Sequence, residues 1–140
     1  MIDSLDEACA DLSVALGMLR QRLDSAFARL PLRIDWRTAH LPDLPPSSPT
    51  VVLNVMRIVQ EAVTNALKHA GASHISIDAE LSDSSLRLTI GDDGRGIAPD
   101  SPPGRGLAGM RARARSIGAD LELSSGPGGT RVRLTVPMTP

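Results

Sequence analysis

Two pairs of alternating apolar and polar runs most strongly limit what this 140-residue chain can fold into. The first pair, HISIDAEL and SLRLTIGD, is joined by SDS, and the second pair, ADLELSS and TRVRLTV, is joined by GPGG. Alternation with a period of two predicts β-strands, and the short joining segments predict two hairpins. We therefore expect a sheet that is mostly antiparallel.

The segments around these runs have the apolar spacing of helices. Helices are predicted over residues 3–29, 49–70 and 107–117, and a short strand over residues 30–36. This order predicts a two-layer α/β sandwich, in which a mixed, mostly antiparallel sheet is backed by helices on one face. The first helix lies outside that pattern, so residues 1–30 form either a linker or docking helix or part of the core.

Composition excludes several classes of function. The net charge is -1 and the aromatic residues are one Phe and one Trp, which argues against nucleic-acid binding and against an anionic membrane surface. Arg111, Arg113 and Arg115 alternate with alanine on a helix, so we expect them on the solvated surface. The single cysteine, Cys9, cannot form an internal disulfide, and no segment is apolar enough to span a bilayer. A cytoplasmic location is expected.

The helix over residues 49–70 has an apolar side and a polar stripe. The apolar side comprises Val55, Val59, Ala62 and Ala66. The stripe comprises Asn54, Arg57, Glu61, Asn65 and Lys68, at offsets of three, four, four and three residues, and is expected opposite the apolar side. A solvated helix face is one interpretation. The other is a metal–triphosphate site, because Glu61 and Asn65 supply oxygen ligands that Mg²⁺ accepts, while Lys68 and His69 could neutralise phosphate.

Two acidic residues, Asp92 and Asp93, follow an apolar run and begin the segment DDGRG. A tight turn after a strand explains Asp and Gly at such positions. Alternatively, the Asp92 carboxylate accepts a hydrogen bond from the exocyclic amine of adenine and repels the guanine carbonyl at the equivalent position. Both interpretations place Asp92 where a strand meets a loop.

A second glycine cluster, GRGLAGM, occupies residues 104–110. Its G-x-G-x-x-G spacing matches a dinucleotide fingerprint, but the preceding APDSPP cannot be the strand that this fingerprint requires. A glycine loop leading into a helix N-terminus would still attract phosphate, with Gly104 and Gly106 allowing close approach and Arg105 adding charge. An ordinary capped loop is the alternative.

The segments QEAVTNALKHA, DDGRG, GRGLAGM and GGT resemble, in this order, the four boxes of the GHKL ATPase superfamily. Within it, residues 30–137 are similar to the catalytic ATP-binding (HATPase_c) domain of sensor histidine kinases, especially those paired with NarL/LuxR-type response regulators. The resemblance implies a Bergerat fold, an ATP-binding catalytic domain over residues 31–140, and ATP with Mg²⁺ as ligands.

The resemblance also implies roles for individual residues. Asn65 would ligate Mg²⁺, and Glu61 would act catalytically, by positioning the metal or water or by assisting removal of a proton from an attacking imidazole. Lys68 and His69 would approach phosphate, and Asp92 would hold the adenine amine.

The remaining residues that it implies for ATP binding lie in the glycine segments. They are Gly94 and Gly96 in the pocket wall, Gly104, Arg105, Gly106 and Leu107 over the triphosphate, and Thr130 at the adenine end. Residues 97–105 would form a short lid over the nucleotide.

One departure concerns the phospho-accepting histidine, which such kinases carry on a helical dimerisation segment. The first predicted helix has no histidine, His40 lies in a proline-rich connector, and His69 and His74 belong to the nucleotide-binding half. We expect the acceptor helix to lie outside this chain, with Met1 beginning a fragment of a parent kinase, for which anchoring in a membrane is an open alternative. The expected partners are that dimerisation helix and the cognate NarL/LuxR-type regulator.

Three alternatives remain open. A switch ATPase like gyrase or the mismatch-repair proteins would use Glu61 as a general base but needs a transducer domain, for which 140 residues leave no room. A serine-kinase anti-sigma factor of the same superfamily would phosphorylate an antagonist protein. A non-catalytic interaction module would retain the four boxes as relics.

Overall fold

The computed structural model describes residues 11–39, 41–68, 71–95 and 105–138. The elements are α1 (Leu12–Ala26), β1 (Arg33–Arg37), α2 (Pro49–Lys68), β2 (His74–Ser82), β3 (Ser85–Asp92), α3 (Arg105–Ser116), β4 (Asp120–Gly126) and β5 (Gly129–Pro137). This order of helices, strand and two hairpins confirms the order predicted from the sequence.

The five strands form one sheet with the order β1-β2-β3-β5-β4. Strand β1 pairs in parallel with β2, whereas the other three neighbouring pairs are antiparallel. Residues 83–84 and 127–128 form the turns of the two hairpins. The predicted mixed, mostly antiparallel sheet is therefore confirmed.

One face of the sheet is buried beneath the helices. On β2, Ile75, Ile77 and Ala79 are buried and alternate with half-buried polar residues such as His74 and Ser76. Strands β3 and β5 show the same alternation. The predicted apolar side of α2 lies in the same core: Val55, Val59, Ala62 and Ala66 are all buried. The helices and the sheet thus form the two layers that the pattern predicted.

The first helix contributes to this core but is shorter than predicted. Asp11 has an extended backbone, and its side chain accepts a hydrogen bond from the Val14 N–H at 3.1 Å, so it caps a helix that begins at Leu12. The helix ends at Ala26. The prediction of one continuous helix over residues 3–29 is therefore wrong at Asp11 and beyond Ala26, and residues 3–10 lie outside the described residues. The buried positions of α1 are Leu12, Ala15, Leu16, Leu19 and Leu23.

Strand β1 is tied to α1 through Trp36. Its indole Nε1–H donates a hydrogen bond to Asp24 of α1 at 3.1 Å, and the Arg20 guanidinium lies 5.7 Å from the ring centroid. The edge strand and the first helix are therefore joined by polar contacts as well as by the core.

Helix α2 begins as its sequence predicts, whereas the last two residues of the predicted helix, 69 and 70, lie outside the described residues. The Ser48 hydroxyl accepts a hydrogen bond from the Val51 N–H at 3.2 Å, and Pro49 occupies the first helical position. Beyond Lys68, Gly71 has a φ of +61°, a left-handed conformation that suits glycine after a helix. Within the described residues, no helix is both long enough and apolar enough to cross a membrane.

Candidate functional site

The carboxyl end of α2 and the end of β3 lie at the same end of the sheet. Helix α2 ends at Lys68, and the chain enters β2 at His74, where Ile75 pairs with Asp92 at the end of β3. Strand β5 begins at this end too, since Gly91 pairs with Arg131. The segments that carry the QEAVTNALKHA, DDGRG and GGT motifs therefore meet at one edge of the fold.

Helix α3 also begins at this end. It leads into β4 at Asp120, which pairs with Thr135, and Thr135 pairs with Arg87 toward the opposite end of the sheet. Helices α2 and α3 thus run in opposite directions, and the first turn of α3 lies at the Asp92 end. Leu107 in this turn is half-buried and packs against the core. For Arg105 and Gly106, only the helical backbone is described.

The polar stripe of α2 is only partly exposed. Arg57 and Lys68 are exposed, and Glu61 and Asn65 are half-buried. Asn54 is buried, with 9% of its surface exposed, and it accepts a hydrogen bond from the half-buried Arg113. The predictions that Asn54 faces solvent opposite the apolar side and that Arg113 is solvated are therefore wrong, because α3 packs over the first half of α2.

Glu61 and Asn65 offer side-chain oxygens one helical turn apart. Among the described residues, neither side chain has a hydrogen bond or an ion pair, so both can bind a ligand. No group of three or more His, Cys, Asp or Glu side chains that could hold a metal ion occurs in the described part of the chain. This donor set fits Mg²⁺ held by one or two protein groups, with phosphate and water completing its coordination.

The Asp92 carboxylate is held in a fixed orientation by two backbone donors. Its Oδ1 accepts hydrogen bonds from the Gly94 N–H at 2.8 Å and the Thr130 N–H at 3.3 Å. Asp92 pairs with Ile75, which is buried under the helices, so both side chains lie on the helix-facing side of the sheet. Within the described residues, Oδ2 has no hydrogen-bond partner and can accept one from a ligand.

The backbone at position 129, just before Thr130, requires a glycine. Its φ is +134°, and an added Cβ would lie 1.9 Å from the carbonyl oxygen of Asp92. Only glycine permits this approach, which brings the Thr130 N–H to the Asp92 carboxylate. The Thr130 hydroxyl, predicted to support the adenine end, lies 3.1 Å from the Ser125 hydroxyl.

Asp93 is a structural residue that the sequence interpretation did not single out. Its carboxylate accepts hydrogen bonds from the Ser73 N–H at 2.9 Å, the Ser73 hydroxyl at 2.7 Å and the His74 N–H at 3.0 Å. The His74 N–H, followed by the Ser73 hydroxyl and N–H, lowers the pKa of Asp93 to about 2. These hydrogen bonds of Asp93 join the end of β3 to the loop that follows α2. No local signal identifies it, because its partners lie 19 and 20 residues away.

Several predicted ligand-binding residues lie outside the described residues. They are His69, Gly96 and Gly104, together with the proposed lid up to residue 104. Gly94 is described and buried, and its N–H is one of the two donors to Asp92.

A cleft of about 570 Å³ opens beside Asp92 on the helix-free face of the sheet. Its lining includes Ser76, Gly91 and Arg131, which alternate along their strands with buried residues. The cleft therefore lies on the side of the sheet away from Glu61 and Asn65.

Comparison with known proteins shows the family. Residues 50–140 match the family model described as histidine kinase-, DNA gyrase B- and HSP90-like ATPase. The chain is 33% identical over 127 residues to the signal transduction histidine-protein kinase/phosphatase UhpB of Salmonella typhimurium, covering 90% of this chain and 24% of that protein. It is 35% identical over 126 residues to the sensor histidine kinase YxjM of Bacillus subtilis, covering 89% of this chain and 30% of that protein. The chain thus spans about a quarter to a third of the length of these relatives.

Solved structures show the same fold. The histidine kinase domain of the Erythrobacter litoralis EL346 blue-light activated histidine kinase superposes with a TM-score of 0.78 at 24% identity, covering 91% of this chain and 65% of that chain. The ATP binding domain of PrrB from Mycobacterium tuberculosis has a TM-score of 0.68 at 24% identity, covering 96% of each chain. The chain therefore belongs to the histidine kinase-, DNA gyrase B- and HSP90-like ATPase family, as an ATPase domain of the type found in sensor histidine kinases.

Proposed function

We propose that this domain binds Mg·ATP and transfers the γ-phosphoryl group to a histidine on a separate helix of a parent sensor kinase. The observation that carries the proposal is the carboxylate of Asp92, oriented by the N–H groups of Gly94 and Thr130. Its free Oδ2 would accept a hydrogen bond from the adenine amine and would repel the guanine carbonyl. Adenine would therefore be bound at the end of β3.

The triphosphate would extend from this point toward α2 and the first turn of α3. Asn65 provides the oxygen that would hold Mg²⁺, and Glu61, one turn away, would position the metal indirectly; when bound, the metal would neutralise phosphate charge. Lys68 adds a cation at the end of α2, and the free N–H groups at the start of α3 attract phosphate oxygens. His69, Arg105 and the glycines at positions 96, 104 and 106 complete the proposed ATP-binding set, together with Leu107 over the triphosphate.

In the proposed reaction, an imidazole nitrogen of the acceptor attacks the γ-phosphorus in line. The N–P bond forms, the bond from the γ-phosphorus to the bridging oxygen breaks, and ADP leaves. Glu61 would accept the proton that the other ring nitrogen of the imidazole loses, a role suited to a half-buried carboxylate. Most of the rate enhancement would come from positioning and electrostatic stabilisation.

The relatives support proposals about the whole protein. Because UhpB and YxjM are a histidine-protein kinase/phosphatase and a sensor histidine kinase, the acceptor histidine would lie on a dimerisation helix of the parent. We propose a NarL/LuxR-type response regulator as the recipient of the phosphoryl group. We also propose that the parent is anchored in a membrane with this domain on the cytoplasmic side, and that α1 belongs to the ATP-binding domain, since its apolar side lies in the common core.

The test is calorimetry with Mg·ATP and Mg·GTP on the wild type and on Asp92→Asn. The amide Oδ1 can still accept the two backbone hydrogen bonds, but an NH₂ group replaces the acceptor that would face adenine. A hydrogen bond to a charged group contributes about 1.5–3 kcal/mol, so ATP affinity should fall about 10- to 100-fold, and the preference over GTP should shrink.

Asp120→Asn is the matched control, because Asp120 is exposed at the start of β4, away from the site. It should bind ATP as the wild type does. Equal wild-type affinity for the two nucleotides, or unchanged ATP affinity in Asp92→Asn, would remove Asp92 from base recognition. A parent-derived acceptor segment that gains no acid-labile phosphate from Mg·ATP would contradict the proposed transfer.

A further inference from the structure

Asn54 and Arg113 form a partly buried polar contact between α2 and α3, away from the residues assigned to ATP. Within the described residues, Asn54 is the only buried polar side chain. Its Nδ2 donates to the Thr50 carbonyl at 2.8 Å, and its Oδ1 accepts from an Arg113 terminal nitrogen at 3.3 Å. Burying an amide side chain destabilises the fold unless both its oxygen and its nitrogen are hydrogen-bonded. The Asn54–Arg113 pair therefore favours one position of α3 on α2.

The position of α3 on α2 determines where the first turn of α3 lies. Arg113 is eight residues beyond Arg105, so the contact lies about 12 Å along the helix axis from its first turn. Met110 and Ala114 are buried on the same helix, and their apolar contact is non-directional. The Arg113–Asn54 hydrogen bond adds a directional constraint that apolar packing does not supply.

We propose that Arg113 is a positioning residue for the triphosphate: by donating to Asn54, it holds α3 so that the N–H groups of its first turn face the phosphates. This inference rests on the proposed function. It assigns a role to one arginine of the MRARAR segment that its neighbours do not share, because Arg111 and Arg115 are exposed.

The experiment measures the affinities of ATP and adenosine, each in the presence of Mg²⁺, for the wild type, Arg113→Ala and the control Arg115→Ala. Arg113→Ala should weaken ATP binding roughly five- to fifteenfold, the range of a modest coupling between sites, and leave adenosine binding within about twofold. Arg115→Ala should change neither. General damage to the fold would weaken both ligands together, which would overturn the proposal.

A double-mutant cycle tests whether Arg113 acts through Asn54. In an Asn54→Ala background, Arg113→Ala should cause little further loss of ATP affinity, whereas independent effects would multiply and overturn the proposal. Arg113→Lys, which retains a charged donor group, should lose less affinity than Arg113→Ala. If the wild type fails to bind ATP, the proposed function fails; if it binds and Arg113→Ala matches Arg115→Ala, this inference alone fails.

Discussion

Replacing Gly129 by alanine should destabilise the domain strongly, because the added Cβ would lie 1.9 Å from the Asp92 carbonyl oxygen. Ordinary van der Waals contact begins near 3.4 Å, so the start of β5 and the end of β3 must move apart by more than an ångström. The φ of +134° is also unfavourable for a residue with a Cβ.

The size of the effect follows from these two terms. A non-glycine residue in such a conformation costs roughly 1–3 kcal/mol, and separating the strands also removes the hydrogen bond from the Thr130 N–H to Asp92. We expect a loss of roughly 2–4 kcal/mol in the free energy of unfolding, or a fall of about 1–2 M in the urea midpoint.

The assay is urea unfolding of the wild type, Gly129→Ala and Gly128→Ala, followed by circular dichroism. Gly128 is the matched control, since an added Cβ there meets nothing within 4 Å, and its φ is outside the left-handed region. It should unfold within about 0.5 kcal/mol of the wild type. Equal midpoints for the two variants would refute the close approach of Gly129 to Asp92.

Two further predictions concern the acid dependence of stability and the role of α1. The pKa of Asp93 is lowered to about 2, so its stabilising effect is fully present above its ordinary pKa of 3.8 and is lost as the pH falls toward 2. The difference between the urea midpoints of wild type and Asp93→Asn should therefore narrow from pH 5 to pH 3. A difference that is independent of pH would contradict this. Leu19→Ala should lower the free energy of unfolding by about 2–5 kcal/mol, because Leu19 is 0% exposed. The control Val14→Ala, at a position 49% exposed, should unfold within about 0.5 kcal/mol of the wild type. Similar urea midpoints for the two variants would show that α1 lies outside the core.

The sheet and α2 were predictable because their signals are local. Alternating residues in the hairpins and the three- and four-residue spacing of Val55, Val59, Ala62 and Ala66 each reflect which side of an element is buried. The start of α1 was misjudged because the leucine spacing continues across Asp11, although Asp is a favoured helix cap. Local periodicity does not show where a helix begins when the apolar spacing continues past the residue that caps it.

The contacts that arrange the candidate site depend on packing between distant segments. Nothing near Asn54 in the sequence indicates that α3 covers it, since Arg113 is 59 residues away. The same holds for Thr130, whose N–H reaches Asp92 from 38 residues along the chain. The motifs in the sequence therefore identify the residues of the candidate site. Only the folded structure shows which of these residues hold each other in position by hydrogen bonds.

The parallel pairing of β1 with β2 has a consequence for the order of folding. In each hairpin, the two strands are joined by a turn of two residues. Strand β1, in contrast, is separated from its partner β2 by the whole segment from Arg37 to His74, which contains α2 and its two connections. Closing a longer loop has a larger entropic cost, so we expect this edge strand to dock late. The only tryptophan of the chain, Trp36, lies on that strand and contacts α1. The fluorescence of Trp36 would thus report when β1 docks onto the sheet and α1. Far-ultraviolet circular dichroism would report the earlier formation of the hairpins and helices.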